Sequence, residues 1–317
     1  MADTKVFYAT DVHGSERTFS KFLNAGKFYG VNVLIMGGDI TGKMIVPIRD
    51  QEDGTWKARF LGAEYTLKTE QEIQETEKNI RNNGYYPYRT TEKEKEELDA
   101  NPQKVDELFS KLMTDATERW IHLAEERLKG TGIKCYITPG NDDRLEIDEA
   151  FKKSNLMVNP EGQVIQIDDY HEMISCGYVN ITPWNAPRDI SEEELGKRIE
   201  AMTSQVKNMQ NCIFNFHCPP IDSGLDAAPK LDANMKPSMS AAGVVTIPAG
   251  SVSVRKAIEV HQPLLGLHGH IHESHGFSRI GRTLCLNPGS EYSEGVLRGA
   301  IVTLSKDKVK SYLLTRG

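Results

Sequence analysis

Three histidines stand at every second position in Leu267-His268-Gly269-His270-Ile271-His272-Glu273, directly after the apolar run Pro263-Leu264-Leu265-Gly266-Leu267. A short apolar run of this kind reads as a buried strand, which puts His268 and His270 at or just past its end. If the extended geometry persists, a period of two aims both imidazoles the same way. Two imidazoles converging on one point are the beginning of a metal site. Other metal-capable residues also follow apolar runs: Asp11 and His13 after residues 6–10, Asp39 after 31–36, Asn141 after 133–138, and His217 after 212–216. In open α/β sheets, ligands bind outside the C-terminal ends of the strands. Seven nitrogen and oxygen donors delivered there can hold two divalent ions, and Asp39, with two oxygens, can bridge them. The donor set has no thiolate, so it suits Mn2+ first, or Fe or Zn2+, and not a structural zinc. Taken singly, Asp11 and Asp39 read as helix caps, Asn141 as a turn residue and His217 as a satisfied core histidine. Their joint recurrence at strand ends favours the site.

The elements that must position these residues follow from pattern. Residues 6–10, a helix over 15–25 with Ser15 as N-cap, and residues 31–36 make a strand-helix-strand opening, which implies parallel pairing. From about Lys43 to Thr131 the alternation breaks. Residues 44–68 read as a β-meander turning at Asp53-Gly54, 69–80 as a helix, 82–88 as a tyrosine-rich loop, and 90–98 as a second helix. Asn101 and Pro102 then open a long helix with an apolar stripe through Leu108, Leu112, Trp120 and Leu128, closed by Gly130. Strands resume at 133–138, 173–176, 212–216 and 283–286. A short helix is expected over 147–153, a capped one over 191–209 with Ser191 and Glu194 in a capping box, and another over 253–260. Residues 222–249 read as a long loop near the site, and 300–314 as a closing hairpin about Lys306-Asp307.

The chain has 317 residues, 38% of them hydrophobic and 26% charged, with a net charge of -7. The acidic balance argues against an extended nucleic-acid surface, which needs a basic stripe. No apolar run is long enough for a bilayer, so no membrane partner is expected. The start of the chain, Met1-Ala2-Asp3-Thr4-Lys5, runs into an apolar strand with no leader pattern. The five cysteines are scattered and read as reduced core residues, which together with the start points to a cytoplasmic protein.

Asp11-x-His13, Gly37-Gly38-Asp39, Gly140-Asn141, the isolated His217 and Gly269-His270 preceded by His268 resemble the calcineurin-like metallophosphoesterase superfamily, with the blocks in its order. Gly-His-Ile-His-Glu and Asn287-Pro288-Gly289-Ser290 resemble its small prokaryotic phosphodiesterase branch. The resemblance implies one metallophosphoesterase domain over 1–317, an α/β fold built as a four-layer α/β/β/α sandwich of two mixed sheets flanked by helices. The mostly helical insertion, roughly 43–131, follows the second strand. It implies one ion on Asp11, His13, Asp39 and His270, and another on Asp39, Asn141, His217 and His268.

Two ions about 3.5–4 Å apart can share a hydroxide and clamp a phosphoryl oxygen for in-line attack, so a metal-dependent phosphoesterase, and within that class a phosphodiesterase, is expected. Many members of the superfamily carry His after the Asn of Gly-Asn. This chain carries Asp142, and an ionised Asp beside an anionic phosphate is a poor donor: either it is protonated, or it backs the ligands, or the leaving group needs little help. Asp142, Asp39 and His217 are the candidate catalytic residues, and phosphodiesters with good leaving groups are the favoured substrates. Arg144 is a candidate phosphate contact, and His272 faces substrate or backs the ligands. The expected partner is a small phosphoester, with the insertion as a cap or a homo-oligomer contact. The competing readings are a protein-interaction scaffold on the same fold and a nuclease for short oligonucleotides.

Overall fold

A computed structural model describes residues 3–241 and 243–317. Met1 and Ala2, the first residues of the expected leaderless start, and Ala242, inside the expected 222–249 loop, lie outside them. Two six-stranded mixed sheets carry the fold. The first runs Lys308–Arg316, Arg298–Ser305, Thr4–Ala9, Val33–Met36, Lys134–Ile137, Met157–Val158. The second runs Gly276–Ile280, Thr283–Asn287, Leu265–Leu267, Ile213–Phe216, Glu172–Cys176, Val164–Gln166. The central strands of both are parallel, with Val6 opposite Val33, Met36 opposite Ile137, and Ile213 opposite both Met173 and Leu265. The expected C-terminal hairpin pairs antiparallel onto Thr4–Ala9. Strands buried on both faces need side chains that are apolar both ways, which is why these segments read as continuous runs.

Alternation sorts those side chains into three cores. Val6, Tyr8, Val33 and Ile35 of the first sheet pack with Ile213, Leu265, Leu267 and Leu286 of the second. On the other face of the first sheet, Phe7, Leu34 and Met36 meet Phe19 and Phe22 of the helix Glu16–Phe28. On the other face of the second, Ile174, Phe214 and Phe216 meet Leu195, Ile199, Val254 and Ile258 of the helices Glu192–Thr203 and Val252–His261.

The segment that interrupts the alternation has its own sheet, ordered Ala63–Leu67, Trp56–Phe60, Ile45–Asp50, Tyr86–Thr91. The last of these corrects the expected 82–88 loop: Tyr86–Thr91 is a strand, parallel to Ile45–Asp50. Pro87 argues against a central strand, but at a sheet edge its missing N–H is tolerated. The helix Glu70–Asn82 opens on a capping box, with Thr69 and Glu72 each accepting from the other's backbone. The helix Pro102–Leu128 starts at Asn101 as expected and docks through Trp120, whose ring stacks on Phe19 at 3.9 Å.

Two further expectations are revised. The helix capped by Ser191 ends at Thr203, and Met209–Asn211 is a separate 3-10 turn; Ser191 accepts from Glu194 N–H, the first half of a capping box. Within 222–249, short antiparallel pairs form between Ala227–Pro229 and Thr246–Pro248 and between Met239–Ser240 and Gly243–Val244. All five cysteines are buried and free. Among the described residues no helix is long and apolar enough to cross a membrane.

Trp120 joins the long helix to the first-sheet core, so Trp120→Ala is expected to cost about 3–5 kcal/mol, read as a lowered urea midpoint.

Candidate metal centre

The parallel strands of each sheet end toward one another, and the loops leaving them are stitched by main-chain hydrogen bonds. Asp11 N–H donates to Gly38 O at 2.9 Å, His13 N–H to Asp39 O at 2.9 Å, and Gly269 N–H to His217 O at 2.9 Å. The two sheets are joined at the site by His270 N–H, which donates to Asp11 Oδ2 at 3.1 Å, and by Ser290 Oγ, which donates to Asp11 O at 2.6 Å. Four of the side-chain donors sit on left-handed backbone: Asp11 at φ 53°, His13 at 39°, Asp39 at 49° and His270 at 67°. Non-glycine residues rarely adopt this region, at a cost of about 1–3 kcal/mol each, and such residues cluster at functional sites. Gly38, at φ 131°, lies so close to His217 that a Cβ there would stand 2.3 Å from the imidazole Nδ1.

These loops gather three groups of donors, each within 4.8 Å of one another: Asp11, His13 and His272; Asp39, His217 and His270; and His13, Asp39 and Asp142. His13 Nε2 lies 3.0 Å from His272 Nε2 and 3.7 Å from Asp39 Oδ2. His217 Nε2 lies 3.4 Å from Asp39 Oδ2 and 3.8 Å from Asp11 Oδ1. His272 Nε2 lies 3.4 Å from Asp11 Oδ1. Asp39 and His13 each belong to two groups. Asn141 stands beside them, with its amide nitrogen 3.4 Å from Asp189 and its buried Oδ1 unpaired.

The resemblance implies His268 and His270 as the last ligands; the structure brings His270 and His272 to the cluster. His268 joins none of the three groups. The period of two holds only while the strand stays extended, and the left-handed residue His270 ends that geometry. His268 still belongs to the strand end: its N–H donates to Leu286 O, and its Nδ1 donates to Phe216 O at 2.9 Å. His272, expected to face substrate or to back the ligands, stands in one of the donor groups, beside Asp11 and His13. Arg144, the expected phosphate contact, instead holds the long helix, donating to Asp106 at 2.6 Å and Ser110 at 2.8 Å with its guanidinium 4.6 Å from the Phe109 ring. Asp142, a candidate catalytic residue, is in an ion pair: its Oδ2 lies 2.8 Å from Lys43 Nζ and 3.8 Å from His13 Nδ1. Burial and Asp39 push its pKa up, and Lys43 opposes them.

Sequence reading missed four contributors. Asp143 is fully buried and accepts from Ile40 N–H, Thr41 N–H, Thr41 Oγ and Gly140 N–H at 2.6–3.0 Å, latching the Asp39 loop to the Asn141 loop. Arg188, also fully buried, donates to Asp143 O at 3.0 Å and to Asp148 at 3.0 Å, holding that loop from behind. Tyr292 packs on the His13 ring with centroids 4.7 Å apart. Lys43 stands at the mouth. Only Asp143 carried a signal, the doubled carboxylate in Gly140-Asn141-Asp142-Asp143.

Burial tends to raise Asp11 and Asp39, but His217 and the other imidazoles outweigh it and hold both carboxyls well below their ordinary range. Burial tends to lower His217, yet Asp39 and Asp11 push it up to about 9. Burial and then His217 take His270 down to about 4. Burial tends to lower His272, yet its hydrogen bond to Asp11 together with the charges of Asp11 and Asp39 raises it.

The donors fit divalent ions. His217 Nδ1 donates to Gly37 O at 3.0 Å, so Nε2, once it has given up its proton, is the lone-pair nitrogen facing the carboxylates; it is buried and has no hydrogen-bond partner. Asn141 Oδ1 is likewise a buried acceptor with none. Buried polar atoms are seldom left this way, and a cation between them is the partner their chemistry asks for.

No family profile matches the chain. The uncharacterized protein MJ1162 of Methanocaldococcus jannaschii is 31% identical over 158 residues, which are 49% of this chain and 64% of that protein. The match therefore spans under two thirds of that relative's length. One solved crystal structure superposes with a TM-score of 0.58 at 16% identity over 99% of each chain. That of TT1561 from Thermus thermophilus superposes with a TM-score of 0.53 at 12% identity over 100% of this chain and 99% of its own. At such identities the likeness is one of fold.

Ligation through His217 requires its Nε2 to be free of a proton. Because His217 sits at about 9, the metal-free protein is protonated there at pH 7 and must release that proton on loading. Mn2+ affinity is therefore expected to rise with pH and to level off above about 9, with proton release visible by calorimetry in buffers of different ionisation enthalpy. Heats independent of the buffer would contradict this. With its donors so arranged, the chain resembles the calcineurin-like metallophosphoesterase superfamily.

Proposed function

We propose that the protein is a dinuclear metal-dependent phosphoesterase, and within that class a phosphodiesterase. The observation that carries this reading is Asp39: a buried carboxylate shared between two groups of imidazoles and carboxylates, at the place where the strand ends of both sheets meet. One ion would be held by Asp11, His13, Asp39 and His272, and the other by Asp39, Asn141, His217 and His270. The three stacked apolar cores support a four-layer α/β/β/α reading of the fold.

Two divalent ions in such a site supply an acidified water and a clamp for a phosphoryl oxygen, with Mn2+ the first candidate on the donor set. The chain's own residues set the geometry. Asp142 N–H donates to Asp39 Oδ1 at 3.0 Å, which turns the other oxygen, Oδ2, toward His13 and His217. Gly37 O and the Asp11 main chain fix the His217 and Ser290 loops. Tyr292 walls the His13 side. The side chains of Asp11, His13 and His217 are fully buried and those of Asp142 and Lys43 partly exposed, so the side of the centre open to solvent is that of Asp142 and Lys43. A small phosphoester is the proposed substrate.

The test is metal-reconstituted hydrolysis of phosphomonoesters, phosphodiesters and cyclic nucleotides. Hydrolysis is expected with diesters preferred, and Asp39→Asn should reduce kcat by at least about 100-fold. A folded chain with two ions bound that hydrolyses none of them would favour an interaction scaffold instead.

A further inference from the structure

Lys43 is placed in a way that the ligand geometry does not require. The carboxylates and imidazoles of the centre lie deep, with side-chain exposures of 0% for Asp11, His13 and His217 and 3% for Asp39. Lys43 and Asp142 are 44% and 30% exposed, so the pair stands at the mouth. An ion pair this open contributes little to stability. Its position relative to the donors is fixed more firmly than stability calls for. A Cβ on Gly84 would stand 2.1 Å from His13 O, and one on Gly42 would stand 2.4 Å from Gly84 O, so three segments cross here at backbone contact. Gly42 N–H also donates to the buried Tyr86 hydroxyl at 2.8 Å. One residue further on, the Lys43 side chain leaves that crossing. Asp143 ties Ile40 and Thr41 to Gly140, so both ends of the Lys43–Asp142 pair stand on latched loops.

The charges point the same way. Through Asp142 the ammonium stands beside the donors: Asp142 Oδ2 lies 3.8 Å from His13 Nδ1, and Asp142 N–H donates to Asp39 Oδ1 at 3.0 Å. It thus faces one group of donors and the shared carboxylate together. An ammonium has three donors, and Asp142 takes one at 2.8 Å. Arg144, another cation near this loop, is engaged by Asp106 and Ser110. An anion approaching three carboxylates, Asp11, Asp39 and Asp142, meets Lys43 first.

We propose that Lys43 is the residue that grips a non-bridging oxygen of the incoming phosphoryl group, and that Asp142 is the positioning residue that aims its ammonium. This rests on the phosphoesterase reading for its substrate, and on the mouth geometry for its site. Lys43 would give the bound anion a contact that the ligand set does not supply. Asp142 serves as the acceptor that keeps a flexible four-carbon side chain in one place.

The test uses the Mn2+-loaded full chain and inorganic phosphate as the probe, measured by calorimetry, with metal content checked by elemental analysis. Lys43→Gln is expected to weaken phosphate binding by about tenfold or more, as loss of a charge-assisted hydrogen bond should. Lys43→Arg should stay within about threefold of the parent, and Asp142→Asn should fall between the two. Where a diester is hydrolysed, Lys43→Gln should raise KM more than it lowers kcat. Phosphate affinity unchanged in Lys43→Gln at full metal content overturns the proposal, as does loss of metal in both Lys43 variants, which would make Lys43 a structural support. Lys43-dependent phosphate binding in a chain that hydrolyses nothing supports the role of Lys43 and overturns the phosphoesterase reading alone.

Discussion

A carboxylate taken out of water must be met by positive charge or by donors, and two of them, Asp11 and Asp39, are buried at the same point. The effective penalty is several kcal/mol for each ion. Main-chain N–H groups carry part of the compensation: Asp142 N–H on Asp39, and His270 N–H on Asp11. The Thr10 hydroxyl adds a bond to Asp11 at 2.8 Å. The rest comes from imidazoles, above all His217, which the two carboxylates keep protonated up to about 9. A proton on His217 is the chain's own substitute for a cation, and a divalent ion among the same donors would replace it with more charge and shorter contacts.

That requirement explains features that would otherwise be unrelated. The sheets must present their C-terminal strand ends to one another, because the donors come from both. The loops must turn sharply enough to leave Asp11, His13, Asp39 and His270 on left-handed backbone. Strain of that kind persists only where the surroundings over-determine it. Here the surroundings are the Asp143 latch, the buried Arg188 behind it, and the main-chain bonds between neighbouring loops. The segment from Ile45 onward enters the same lattice through Gly42, Gly84 and Tyr86, which is how a separate four-stranded sheet comes to border the site.

Much of this was legible in the sequence where one local rule governs. Apolar runs marked the buried parallel strands, Thr69 and Asn101 marked helix starts, and the polar residues just past the strands marked the donors. What was not legible depended on the third dimension. The even spacing of His268, His270 and His272 allows two pairs of ligands, and only the turn at His270 decides between them. Arg144 and Lys43 are both cations in polar loops; that one docks a helix and the other faces the donors depends on a crossing of segments far apart in sequence. Tyr86–Thr91 was hidden by Pro87, whose cost depends on an edge position that no local pattern reveals.

The donors are expected to hold a pair of ions through His270 and His272. Anomalous diffraction from crystals of the Mn2+-loaded protein tests this directly. Two peaks are expected, one among Asp11, His13, Asp39 and His272 and one among Asp39, Asn141, His217 and His270, with His268 Nε2 ligating neither. A single peak, or a peak ligated by His268 while His272 turns to solvent, would contradict the account.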